Sequence, residues 1–225
     1  MESKEYQKTI EYLCDLIKAG ELTIGSKLPT ERKLAETLSI GRNSIREALR
    51  ILESIGMVEC KQGSGNYIAG NVSKTISEVI EMMLLLKQIT KEEIIVFRRD
   101  MEKAICNSII ESKNIEKWYY KIKNILITDI ELQSLEEQIE ADWNFHYMLI
   151  LATENQVWIS ISKAIITIYQ NWIGTVLKYA EPDIKQKLQE SHIAILSALW
   201  EGSRDAVEKA IDLHYDLVDN ELKKN

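Results

Sequence analysis

The fold of this protein is decided by residues 24–68, IGSKLPTERKLAETLSIGRNSIREALRILESIGMVECKQGSGNYI. Their pattern predicts a short helix over Glu31–Leu38, a tight turn at 39–41 and a second helix over 42–55. Two short strands joined by a glycine-bearing turn at 61–65 follow. A helix–turn–helix followed by such a hairpin predicts a winged helix-turn-helix.

The second of these helices has two contrasting faces. Its apolar stripe, spaced as in an amphipathic helix, consists of Ile45, Ala48, Leu49 and Leu52. Another side carries Arg42, Arg46 and Arg50, four residues apart, which we call the arginine comb. A guanidinium can grip a phosphate or the O6/N7 edge of guanine through two hydrogen bonds. Residues 32–50 hold five basic and two acidic side chains in a chain of net charge −7, so the patch predicts a surface for duplex DNA.

Length and charge predict two domains. A chain of 225 residues has room for one small and one medium core. We expect a DNA-binding domain over residues 1–69, a linker over 70–74 and a helical domain over 75–225. Residues 1–73 contain ten basic and ten acidic side chains, so the remainder holds the whole charge of −7. This asymmetry indicates that the second domain has a different partner from the first.

The second domain is predicted to be an all-α bundle of six to seven helices, which makes the whole protein mostly α. Helical periodicity is present over 75–87, 91–112, 114–126, 129–152, 155–180, 183–200 and 204–223. The chain lacks an apolar run of 18 residues and an apolar signal region, and its three cysteines are far apart. These features predict a cytoplasmic protein with no membrane segment.

The three histidines predict a metal site. His146 lies four residues after Asp142, so both side chains share one helix face. His192 and His214 are each eleven residues from Ser203, at the turn between two helices, so an antiparallel hairpin places them opposite one another. Together with Asp142 they suit a divalent ion such as Zn²⁺, Ni²⁺ or Mn²⁺. The alternative is three unrelated histidines, each in a core or exposed.

The first domain resembles the GntR family of transcriptional regulators. Residues 24–35, IGSKLPTERKLA, are similar to the family's G-x-x-LPSEReLA opening, and residues 42–49, RNSIREAL, to its SR-x-x-VREAL helix. Gly41 stands where a Ser or Thr is usual, so a hydroxyl cap is missing, whereas Thr30 in place of Ser preserves capping. We expect DNA contacts from both helices and the hairpin tip, through Arg32, Arg42, Asn43, Ser44, Arg46, Arg50, Gln62, Gly63 and Gly65.

The second domain resembles the FCD ligand-binding domain of the FadR subfamily. Residues 142–146, DWNFH, are similar to that domain's D-x-x-FH, and His192 and His214 match its later histidines. Arg98 and Glu102 match an R-x-x-x-E near its start, and Asn155 also fits the pattern. The Arg98–Glu102 spacing equally suits a surface ion pair. We expect effector contacts from Arg98, Asn155 and Tyr169, although an aromatic residue such as Tyr169 is more often plain core than a pocket wall.

These features predict a bacterial regulator, not an enzyme. Its affinity for a pseudo-palindromic DNA operator would respond to a small carboxylate or sugar acid bound at the metal, as a repressor or an activator. Because such operators are two-fold, we expect a homodimer. Two alternatives stay open. One is an acyl-coenzyme A-responsive regulator without a metal, and the other is a metal-dependent hydrolase, for which no general base is placed by motif.

Overall fold

The computed structural model describes residues 5–127 and 134–224. They form two compact units, the first ending at residue 76 and the second beginning at residue 77. The elements of the first unit, in order, are α1 (Glu5–Lys18), α2 (Glu31–Leu38), α3 (Arg42–Ser54), β1 (Val58–Lys61) and β2 (Gly65–Ile68). This is the predicted winged helix-turn-helix.

Local chemistry sets the ends of α2 and α3. The Thr30 hydroxyl accepts a hydrogen bond from the Lys33 amide at 3.2 Å and so caps α2. Ser39 then adopts a left-handed conformation (φ 55°), which turns the chain sharply. Gly41 precedes α3 without a side-chain cap, as expected from its missing hydroxyl. The turn therefore fixes α3 relative to α2.

The hairpin after α3 is a short antiparallel pair. Val58 lies opposite Ile68 and Lys61 opposite Gly65. The segment just ahead of α2 extends this sheet, because the Leu28 amide donates to the Asn66 carbonyl and the Ile68 amide to the Ser26 carbonyl, both at 2.8 Å. The core of the first unit comprises Leu13, Leu22, Leu28, Leu34, Ile45, Leu49, Val58 and Ile68.

The helix after the hairpin, α4 (Val72–Leu85), begins earlier than the sequence indicated. Residues 72–74 of the predicted linker 70–74 are helical, which corrects that boundary. Within α4, the Thr75 hydroxyl donates to the Ser54 carbonyl at 3.1 Å. The helix ends two residues before the predicted position 87, where Lys87 is left-handed (φ 56°). The division between the two units at residues 76 and 77 falls inside α4.

The second unit is helical throughout its described residues. After α4 come α5 (Lys91–Ser112), α6 (Ile115–Leu126), α7 (Leu135–Ala152), α8 (Gln156–Tyr179), α9 (Pro182–Glu201) and α10 (Arg204–Lys224). The mostly α prediction is confirmed, with seven helices in this part of the described chain. Of the predicted helix 129–152, residues 129–133 lie outside the described residues.

Caps and breakers again explain the ends of these helices. Thr90 with Glu93 and Ser134 with Glu137 form reciprocal capping boxes that start α5 and α7. Pro182 occupies the first turn of α9, where its missing amide costs nothing. Gly202, left-handed at φ 68°, ends α9 and allows α10 to return antiparallel along it. Buried side chains from α5 to α10 form one apolar core.

Within residues 5–127 and 134–224, no helix combines the length and apolar character needed to cross a membrane.

Candidate functional sites

The arginine comb lies on the open face of α3. Arg42, Arg46 and Arg50 are exposed, whereas Ile45 and Ala48 are fully buried. The predicted contacts at Asn43, Gln62, Gly63 and Gly65 are also exposed, and Ser44 is half-buried. Helix amphipathicity therefore places the basic side chains on the surface of the first unit, as the sequence indicated.

Two of these surface groups already have acidic partners. The Arg46 Nε donates to Glu31 Oε2 at 2.7 Å, and the Ser44 hydroxyl donates to Glu5 Oε2 at 2.7 Å. Arg32 lies 3.8 Å from Glu36 Oε1 across a well-exposed pair, where water and salt screen the attraction. Neither Arg42 nor Arg50 has such a partner within the described ranges. The contact between Glu31 and Arg46 was not predicted from the sequence, although Glu31 lies inside the quoted motif.

The four predicted metal ligands converge in the second unit. Asp142 and His146 come from α7, His192 from α9 and His214 from α10. One ligand atom from each lies within 4.8 Å of the others, and all four side chains are buried. His192 Nε2 and His146 Nε2 lie 3.5 Å and 3.8 Å from Asp142 Oδ1. The rings of His192 and His214 are 4.6 Å apart, so the predicted facing across the α9–α10 hairpin is found.

Neighbouring groups orient two of the imidazoles. The Ser191 hydroxyl donates to the Leu188 carbonyl at 2.6 Å and lies 2.9 Å from His214 Nδ1, so it is placed to accept the Nδ1 proton. Glu102 Oε2 lies 2.7 Å from His146 Nδ1. In both rings Nε2 is then the nitrogen with a free lone pair, the form that binds a metal.

Glu102 has different partners from the one that its spacing from Arg98 suggested. It is not the surface partner of Arg98, because both residues are buried on the inner side of α5. Its carboxylate contacts His146 and accepts a hydrogen bond from the Tyr215 hydroxyl at 3.0 Å. Sequence reasoning missed Tyr215 and Ser191. Their only signal was adjacency to His214 and His192, which does not show what the neighbouring helix brings near.

Burial controls the protonation of the cluster. It lowers the pKa of His192 and of His214 well below the usual 6.5, and the positive charge of nearby Arg98 acts in the same direction. Burial also raises the pKa of Asp142, with His146 and Arg98 opposing it. The two imidazoles are therefore held neutral, ready to donate lone pairs. The Nε2 atoms of His146 and His192 are buried with no hydrogen-bond partner among the described residues. This donor set fits a divalent ion.

Arg98 carries an unusual buried charge beside this cluster. Its guanidinium lies 3.7 Å from the Tyr169 ring centroid, and its side chain is 1% exposed. Within residues 5–127 and 134–224, its Nε and Nη1 atoms, the Tyr169 hydroxyl and Glu102 Oε1 have no hydrogen-bond partner. Buried polar atoms are rarely left unpaired, since each costs about 1–3 kcal/mol. Their unmet hydrogen-bonding capacity makes Arg98, Tyr169 and Glu102 candidates for ligand contacts.

Asn155 does not belong with these groups. Its side-chain oxygen accepts hydrogen bonds from the amides of Val157 and Trp158, so it is the N-cap of α8, and it is exposed. Tyr169 lies on the same helix, about 21 Å further along at the usual helical rise. The structure gives Asn155 a capping role, and its effector contact stays a prediction.

A small cavity lies beside the predicted metal ligands. It has a volume of about 40 Å³ and is lined by Ile125, Leu126, Gln138, Ala141, Asp142, Leu177, Leu188, Gln189 and His192. One water needs about 10–15 Å³ by this kind of measure. The cavity thus holds a few water-sized groups beside Asp142 and His192.

Comparison with known families identifies the class of protein. Residues 5–68 match the family described as "Bacterial regulatory proteins, gntR family", and residues 93–217 match the FCD domain. The chain belongs to the GntR family of regulators, in the FadR-like group that carries an FCD domain. It is a DNA-binding transcriptional regulator with an effector-binding second domain.

Individual relatives agree with this assignment. The chain is 28% identical over 214 residues to the HTH-type transcriptional regulator LutR of Bacillus subtilis, covering 92% of this chain and 96% of LutR. It is 26% identical over 218 residues to an Escherichia coli K12 protein provisionally assigned as the L-lactate dehydrogenase operon regulatory protein, covering 93% and 83%. A solved structure of a Streptococcus agalactiae GntR protein shares the fold, with a TM-score of 0.60, 24% identity and coverage of 96% and 99%.

Proposed function

We propose that this regulator changes its operator affinity when a small carboxylate binds at a divalent metal held by Asp142, His146, His192 and His214. The observation that carries the proposal is the convergence of these four buried side chains within 4.8 Å. Two ligand atoms on opposite sides of one ion are about 4.2 Å apart, given metal–nitrogen distances of about 2.1 Å. The cluster is therefore close to the size that a single ion requires.

A metal, when bound, would supply a Lewis-acidic partner for carboxylate oxygens. The protein's own groups would complete the effector site. Arg98 offers unpaired Nε and Nη1 donors, Tyr169 an unpaired hydroxyl, and Glu102 an unpaired oxygen that can accept from an effector hydroxyl. A carboxylate with a neighbouring hydroxyl satisfies all three, because guanidinium binds carboxylate and the free Glu102 oxygen needs a donor.

The size of the cavity and the assignment of a relative both favour a small acid as the effector. A cavity of about 40 Å³ suits a molecule of a few heavy atoms and is too small for a fatty acyl chain. The E. coli relative's provisional assignment is to an L-lactate dehydrogenase operon, and L-lactate is a small 2-hydroxy acid. We therefore infer a small 2-hydroxycarboxylate in preference to an acyl-coenzyme A. The relatives are named as regulators, and a hydrolase gains no support from them.

The DNA side of the proposal uses the first unit. The arginine comb would contact phosphates and base edges in the major groove, and Arg32, Asn43, Ser44, Gln62, Gly63 and Gly65 would add contacts from α2, α3 and the hairpin tip. We infer a homodimer on a pseudo-palindromic operator, because one winged helix alone buries too little DNA for useful affinity at physiological salt. The protein would act in the cytoplasm, where bacterial DNA lies.

Coupling requires unequal effector affinity for two forms of the protein. The site gathers residues from α5, α7, α8, α9 and α10, so an occupied site would favour one packing of these helices. The covalent route from the second unit to the first is α4, whose first turn belongs to one unit and whose remainder belongs to the other. A change at the α4 junction is therefore the step that would reach α3.

The proposal can be tested in two stages. Native mass spectrometry of the purified protein reports the dimer mass, metal content and any bound acid together. Operator fragments are then selected from random DNA duplexes, and binding is measured with and without L-lactate, before and after chelation. We expect L-lactate to change operator affinity by about 5- to 150-fold, and chelation to abolish that change.

A paired variant makes the test specific. His192→Ala should lower metal content and effector response while sparing basal DNA binding. Ser197→Ala, an exposed change on the same helix, should alter none of these. Full metal occupancy in the His192 variant, or an undiminished response after chelation, would remove the metal from the mechanism.

A further inference from the structure

The three arginines of the comb are not equivalent. Arg46 is held by a carboxylate, through the 2.7 Å hydrogen bond from its Nε to Glu31 Oε2. The side chains of Arg42 and Arg50 are exposed and have no ion pair or hydrogen bond in the described parts of the chain. Glu31 is the first residue of α2, whose start is fixed by the Thr30 cap. It therefore offers Arg46 a fixed anchor on a second helix.

The contact with Glu31 leaves the two terminal nitrogens of the Arg46 guanidinium unoccupied. A guanidinium has one Nε–H and two terminal NH₂ groups in a rigid plane. With Nε occupied by Glu31, both terminal nitrogens remain available, and the side chain is still 54% exposed. Two terminal nitrogens in one plane match the O6 and N7 acceptors of guanine. Anchoring thus selects an end-on approach to a base edge.

Anchoring also distinguishes the recognition of a base from the binding of a phosphate. A long side chain loses rotamer freedom when it binds, and a side chain already held loses less. A fixed guanidinium tolerates few positions of its partner, whereas a free one can follow a phosphate in many. Glu31 itself repels phosphates, so it would weaken general DNA affinity while sharpening selection.

We propose that Glu31 is a positioning residue that makes Arg46 the guanine-reading arginine, while Arg42 and Arg50 grip phosphates. The inference rests on the proposed use of α3 as the recognition helix. Glu31 acts through Arg46 and touches no base.

The test uses operator fragments selected with the unmodified full-length protein, and the same fragments with each guanine replaced in turn. Arg46→Ala should lose discrimination at one G·C pair by about 5- to 150-fold. Arg42→Ala and Arg50→Ala should each weaken binding to all fragments alike. Each should also reduce the slope of log affinity against log salt concentration by about 1, which corresponds to one lost phosphate contact. Glu31→Ala should reduce discrimination at the same pair as Arg46→Ala, while its affinity for random DNA stays equal or rises.

A double mutant completes the assignment. If Glu31 acts through Arg46, adding Glu31→Ala to Arg46→Ala changes discrimination no further. Glu36→Gln, which removes one charge from the same helix without contacting Arg46, is the matched control and should keep full discrimination. Glu31→Leu, which is of similar size but has no acceptor for Arg46 Nε, serves if the alanine variant unfolds.

Three results separate the possible failures. Absence of any selected operator would overturn the DNA-binding proposal itself. Unchanged discrimination in Arg46→Ala would overturn the assignment of Arg46 as the reader. Unchanged discrimination in Glu31→Ala or, if that variant unfolds, in Glu31→Leu would overturn the role of Glu31 alone, as would losses that add in the double mutant.

Discussion

Replacing Gly56 by alanine should damage the junction between α3 and α4 more than the backbone conformation alone explains. Gly56 has φ 73°, and a Cβ there would lie 2.2 Å from the Asn71 carbonyl oxygen. Gly20 has nearly the same φ, 77°, but an added Cβ meets nothing within 4 Å. The pair separates backbone strain from the clash.

The expected sizes follow from these contacts. A left-handed alanine costs about 1–2 kcal/mol, which is the whole expected effect of Gly20→Ala. In Gly56→Ala the Asn71 carbonyl must move by more than 1 Å to restore ordinary contact. That shift strains the hydrogen bond from the Asn71 amide to the Gly56 carbonyl, now 3.1 Å, worth about 1 kcal/mol. Repacking adds about 1–3 kcal/mol. We expect Gly56→Ala to destabilise the first unit by about 2–4 kcal/mol more than Gly20→Ala.

The positions of the tryptophans allow the unfolding of the two units to be measured separately. All five tryptophans lie in the second unit, at positions 118, 143, 158, 172 and 200. Tryptophan fluorescence therefore follows the unfolding of the second unit. The urea concentration at its midpoint should differ little between either variant and the unmodified protein. Hydrogen exchange of the α3 amides should show the loss in Gly56→Ala. Equal destabilisation of α3 by the two variants would refute the reasoning from the clash.

Three further predictions concern the second unit. Ser191→Ala removes the group that orients His214, so the metal dissociation constant measured by calorimetry should rise about 10- to 100-fold, whereas Ser197→Ala should leave it unchanged. Because burial lowers the pKa of His192 and His214, the unfolded chain binds more protons below pH 6.5, and the metal-free protein should lose stability as pH falls. The raised pKa of Asp142 offsets up to one of these two protons. The stability measured by urea denaturation should therefore fall from pH 7.5 to 5.5 with a slope that steepens below pH 6.5 toward a limit of about 1.4–2.7 kcal/mol per pH unit, and a flat profile would contradict it. Tyr215→Phe removes the donor to buried Glu102 and should cost about 1–2 kcal/mol, while the exposed Tyr120→Phe should be neutral by the same denaturation.

Spacing within and between adjacent helices was enough to predict the heart of the cluster. Asp142 and His146 share a face because they are four residues apart, and His192 faces His214 because both are eleven residues from Ser203. These are properties of one helix and one hairpin, so they depend on no distant packing. The same reasoning predicted the exposed arginine comb.

What the sequence could not predict depends on how non-adjacent helices pack. Arg98 and Glu102 have the spacing of an ion pair, yet both turn inward and Glu102 reaches α7 and α10 instead. The capping of α8 by Asn155 was also not predicted, because it depends on the amides that follow it in the folded helix.

Every histidine of the chain belongs to the buried cluster. Imidazole resonances in a nuclear magnetic resonance spectrum would therefore arise from this cluster alone, without background from the surface or the DNA-binding unit. A tag-free preparation would thus give three imidazole spin systems, one for each histidine. Their shifts on addition of a metal ion or a small carboxylate would report binding at each of the three residues separately.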